Sequence, residues 1–170
     1  MHVGNSPFFQ KPKEEDIVAH GGKALAQLNN LQTNIIRDEP NMAIFVGYAA
    51  KDTLGTTSGQ LSSLKILIDE EEMYASWFGE ALGIGVSGGF VMLIDKEEVL
   101  WALFEGWKYY RQYLQQTPQV KDKQIETWNG HWLAHTFDTQ YNPDNVWENF
   151  QVETNEVQGK IAIPTMNGQK

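Results

Sequence analysis

The chain has 170 residues, 41% hydrophobic and 12% aromatic, a length and composition that bury a real core and exclude a disordered chain. A formal charge of −9 argues against a general nucleic-acid binder, which needs a basic footprint to neutralise phosphates. Cysteine is absent, which removes disulfides and thiolate metal sites. No apolar run approaches the roughly 18 residues of a membrane span, and the polar, Pro-punctuated start does not read as a secretory signal. The expectation is a cytoplasmic protein with neither nucleic acid nor membrane as partner.

In chain order, residues 1–13 carry Gly4, Pro7 and Pro12 without periodicity and read as a flexible arm. A single globular domain is expected over 14–164, with a tail at 165–170. From Glu14 to Arg37 the residues Ile17, Gly21, Ala24, Leu28, Leu31 and Ile35 recur at helical spacing. Gly21-Gly22 weakens the first third of that helix, by about 1 kcal/mol per glycine, and marks a break or a close contact. A strand is expected at 42–50, followed by a polar loop at 51–63. The loop's Gly55-Thr56-Thr57-Ser58-Gly59 lacks the lysine of a phosphate-binding loop.

The chain then repeats itself. Positions 66–78 and 92–104 are identical at six of thirteen places, including Leu67/Leu93, Ile68/Ile94, Asp69/Asp95 and Glu72/Glu98. Each copy reads as an apolar strand, an Asp N-cap with a Glu three residues later, and an amphipathic helix. A strand–helix–strand series implies a right-handed crossover between parallel strands. Asp69 and Asp95 would then lie at strand carboxyl ends, where open parallel sheets collect ligands. Capping explains both residues. The alternative is a pair of ligands for Mg2+ or another divalent cation.

Between the copies, Gly83-x-Gly85-x-x-Gly88 spells a dinucleotide fingerprint and Gly85-x-Ser87-x-Gly89 a nucleophile elbow. Both motifs need a strand before them and a helix after them. Here the order is reversed, so the stretch reads as a glycine connection.

The second helix runs from about 96 to 116 and ends before Thr117-Pro118. Leu100, Leu103, Phe104, Trp107, Tyr110 and Leu114 form its core stripe. Trp101, Tyr109 and Tyr113 flank the stripe. With Trp107 and Arg111, this helix also offers the residue types that dominate protein interfaces. Next, Asn129-Gly130 between two β-compatible runs predicts a hairpin over 124–137. In that register Glu126, Trp128, His131 and His135 share one face, and Trp132 lies on the other. The two histidines would stand roughly 13 Å apart on a strand at about 3.3 Å per residue. That is too far to share an ion, whereas a helix would bring them to one face. Trp147–Val152 and Lys160–Ile163 read as further short strands.

The expected class is α+β, with a mixed sheet of five to seven strands. It combines a strand–helix–strand–helix repeat (about 64–116), an antiparallel hairpin (about 124–137) and two or three packed helices. No nucleophile, metal set or cofactor loop stands in its required context. The reading is therefore a non-enzymatic accessory domain that binds another protein, or a second copy of itself, through an aromatic surface. Trp107, Arg111, Glu126, Trp128, His131, Trp132 and His135 are the candidate binding residues, and no cofactor is expected. The alternative is a small divalent-metal hydrolase that uses Asp69 and Asp95 to activate water.

Overall fold

A computed structural model describes residues 11–37, 67–121 and 124–166. The class is mixed α+β. Among the described residues there are five helices and two small antiparallel sheets of two strands each. The chain divides into two compact units, Met1–Ala81 and Leu82–Lys170.

In the first unit, α1 (Glu14–Ala19) and α2 (Lys23–Arg37) replace one continuous helix. The break falls at the glycine pair. Gly21 has φ of +72°, a conformation that costs an L side chain energy. Its N–H donates to Val18 O and that of Gly22 to Ile17 O (3.3 and 2.9 Å), which makes a Schellman termination. The break shifts the helical phase. Ala26, Gln27, Leu31 and Ile35 are buried on α2, whereas Ala24 and Leu28, expected in the stripe, are exposed.

α3 (Glu70–Ala81) closes this unit, with Met73 and Trp77 packed on Leu31 and Ile35. Asp69 is its N-cap. The Glu72 N–H donates to Asp69 Oδ1 (2.8 Å), and the Asp69 N–H donates to Glu72 Oε2 (3.2 Å). This is the reciprocal capping box that the residue spacing predicts.

The second copy of the repeat does not behave the same way. α4 (Glu97–Gln116) starts one residue late, with Lys96 in the cap position and no side-chain cap. A tight turn, in which Lys96 N–H donates to Ile94 O (2.9 Å), leaves Asp95 outside the helix. The strand–helix repeat is not confirmed either: a strand is found before α4, at Phe90–Met92, but not at Leu67–Ile68 before α3. Leu67 and Ile68 are in no strand, and residues 64–66, like the expected strand at 42–50 and the loop at 51–63, lie outside the described residues. Phe90–Met92 (β2) pairs instead with Ile84–Val86 (β1), antiparallel, through a turn at Ser87-Gly88-Gly89. Gly88 and Gly89 both have positive φ. The glycine connection is thus one strand and the turn of a hairpin, because two adjacent positive-φ residues reverse the chain.

The largest correction concerns 124–137. Ile125–Thr136 is a helix, α5, not a hairpin. It packs on both α4 and β1. A second hairpin, β3 (Asn155–Val157) with β4 (Lys160–Ala162), turns at Gln158-Gly159, both with positive φ. Lys160–Ala162 fulfils the expected late strand. Residues 147–152 form turns and irregular chain instead of a strand.

Candidate functional site

Two faces of the second unit carry chemistry, and both depend on how α4 meets α5. The contact is close because Gly106 has no side chain. A Cβ there would lie 2.5 Å from Trp132 Nε1 and 2.9 Å from its Cγ. The indole lies along the α4 backbone instead, with Nε1–H donating to Ala102 O (3.0 Å). At the other end, Tyr110 Oη accepts from the Gln124 N–H (3.2 Å), which ties α4 to the start of α5.

The aromatic residues expected at a surface form this core. Trp128 and Trp132 are 0% and 2% exposed, and Trp107 is also buried. Trp128 stacks against Trp132 with centroids 6.0 Å apart, Tyr109 stacks on Trp132 at 4.7 Å, and Phe150 meets both tryptophans edge-on. Stacked and edge-to-face rings add about 0.5–1.5 kcal/mol per pair beyond burial. Their role is cohesion. Arg111 and Glu126 are half-buried beside them. A helical signal was present in the sequence: Ile125, Trp128, Asn129 and Trp132 stand at i, i+3, i+4 and i+7. The Asn-Gly pair masked it. The Asn129 side-chain amide donates to Gly83 O (2.8 Å), and Gly130 faces Ile84. Both residues thus serve contacts between α5 and the chain around β1.

The helix brings His131 and His135 to one face, one turn apart, as a strand would not. Their Nε2 atoms lie 2.8 Å from Pro164 O and 2.8 Å from Val146 O. A carbonyl only accepts, so each Nε2 carries a proton and is occupied as a donor. The same two imidazoles line a cavity of about 290 Å3 with Asp138, Tyr141 and Asn149. There Asp138 Oδ1 accepts the Gln140 N–H (2.8 Å). Burial raises the Tyr141 phenol pKa, with the charges of Tyr109 and Glu105 adding to it and Lys108 opposing it, so its hydroxyl stays a donor. The two histidines hold the chain after α5 against the helix, and Asp138 ties its own turn at Gln140. Among the described residues, no three His, Asp or Glu gather as a metal-holding group.

Asp69 belongs to the first unit and is accounted for by its capping box. Asp95 belongs to the second, where it rims a different concavity. This groove, about 390 Å3, is walled by Leu82, Leu100, Trp101 and Phe104, with Asp95 and Glu97 at its edge. Trp101 and Phe104 pack edge-to-face at 5.8 Å and are 58% and 45% exposed. Phe90, Val91, Met92 and Leu93, on and just after β2, are exposed as well. Leu103, Trp107 and Tyr110 face the core, so Leu100 and Phe104, both expected in the core stripe, fall one step round the helix.

No protein family, curated protein or solved structure matches the chain. No helix among the described residues is long and apolar enough to cross a membrane.

Proposed function

We propose that the protein is a non-enzymatic interaction domain whose docking surface is the exposed aromatic face of α4. Trp101, the most exposed of the six tryptophans, stands with Phe104 at the mouth of an apolar groove, and this observation carries the reading. Large exposed apolar groups gathered at a concavity cost hydration unless a partner covers them. Tryptophan is among the residues enriched at the energetic anchors of protein interfaces. The β2 side chains extend the apolar area of the same unit, and no charged residue interrupts the chain from Leu82 to Ile94. His131, His135 and Asp138 of the histidine cavity are each bonded to backbone, which supports a structural role for that face.

Photo-cross-linking in the source cell tests this. A photoreactive residue at position 101 is expected to yield a discrete protein adduct that the same residue at Gln151, an exposed position, does not. Identical adduct patterns from the two positions, or none from position 101, would contradict it.

A further inference from the structure

Trp101 lines two concavities of different character. One is the apolar groove with Leu82, Leu100 and Phe104. The other is a basin of about 560 Å3 that it shares with Lys96, Glu97 and Glu98. Glu97 borders both, and Asp95 borders the groove. All four charged residues are exposed. We infer that the partner docks by a cationic amphipathic peptide segment, with an apolar side chain anchored in the groove and an adjacent arginine or lysine over Trp101, facing Asp95, Glu97 and Glu98. This rests on the docking surface proposed above and names the chemistry of what it takes.

Three features agree on a cation. Residues 95–98 hold three acids against one base, and the positive end of the α4 dipole, worth about half a charge, does not cancel that excess. The face of an exposed indole attracts guanidinium and ammonium groups within about 6 Å of its centroid. The whole chain carries −9, which steers basic partners toward it and repels acidic ones. An apolar anchor alone would leave the acidic basin unused. A cation alone would leave Leu82, Leu100 and Phe104 uncovered. A segment with an apolar residue next to a basic one satisfies both concavities that Trp101 lines.

The test is a displayed library of random peptides of about 12 residues, some three turns of helix, selected on the full chain. Sequences that also bind Trp101→Ala are removed. The recovered peptides are expected to carry more Arg and Lys than Asp and Glu around an apolar residue, and to bind Trp101→Ala about 30-fold more weakly. Against Asp95→Asn/Glu97→Gln, checked for native circular dichroism, their affinity should fall on the order of five- to tenfold and lose much of its dependence on salt. Recovery of neutral or acidic peptides that depend on Trp101, or cationic ones indifferent to the double variant, would overturn the cationic partner and leave the docking surface standing. Failure to recover any Trp101-dependent peptide would overturn both.

Discussion

Gly106 of α4 and Trp132 of α5 occupy one place between them: the indole lies where a side chain at position 106 would stand. The pair sets how closely the two helices approach, and therefore whether Trp132 reaches Ala102 O. Gly106→Ala should gain about 1 kcal/mol of helix propensity and lose more by displacing the indole. The net destabilisation expected is about 1–3 kcal/mol, read from urea unfolding followed by far-UV circular dichroism. A neutral or stabilising substitution would show that the helices part without cost.

The two aspartates of the repeat separate by their local geometry. Asp69→Ala removes one half of a formed capping box and should cost about 1 kcal/mol. Asp95→Ala removes an exposed side chain outside its helix and should stay within about 0.5 kcal/mol of the parent. Equal losses in denaturant titrations of the two variants would mean that α4 is capped by Asp95 after all.

His131 and His135 are expected as Nε2–H tautomers at neutral pH, because each Nε2 faces a carbonyl. Long-range 15N–1H correlation spectra distinguish the two ring nitrogens directly. His135→Ala should also raise amide exchange around Val146, whose carbonyl it holds, while leaving exchange in α4 unchanged. Nδ1–H signals from both rings would break this assignment.

Burial raises the Tyr113 phenol pKa and, with Tyr109 and Glu105, that of Tyr141. The folded state thus favours the protonated phenol. Its stabilisation is complete below the ordinary value of 10.0 and is lost as pH rises through the higher folded-state value. The urea midpoint should therefore fall as pH rises above the ordinary value of 10.0, and fall less steeply in Tyr113→Phe/Tyr141→Phe. An equally steep decline in the double variant would place the alkaline sensitivity elsewhere.

What was legible in the sequence was local. The Asp69–Glu72 box, the break at Gly21-Gly22 and the extent of α4 each follow from contacts within a few residues, and each is found in the fold. The α5 reading failed because its Asn129-Gly130 pair is placed by partners far along the chain. Asn129 reaches Gly83, and Gly130 admits Ile84. Asn-Gly turn chemistry points to a hairpin where a tertiary contact selects both residues, and a hairpin register places Trp128 and Trp132 at a surface. Trp101 only flanks the expected stripe, because a helix wrapped in aromatics does not reveal which flank meets its neighbour. That is decided by Gly106, whose only sequence trace is a missing side chain.

The central division, between the buried aromatics of α5 and the exposed pair on α4, is tested most directly by urea unfolding of Trp101→Ala beside Trp132→Ala, both followed by far-UV circular dichroism. Trp101→Ala should unfold within about 1 kcal/mol of the parent. Trp132→Ala should lose about 3–5 kcal/mol or fail to unfold cooperatively. A large loss in Trp101→Ala, or a native midpoint in Trp132→Ala, would place the core and the docking surface on the wrong helices.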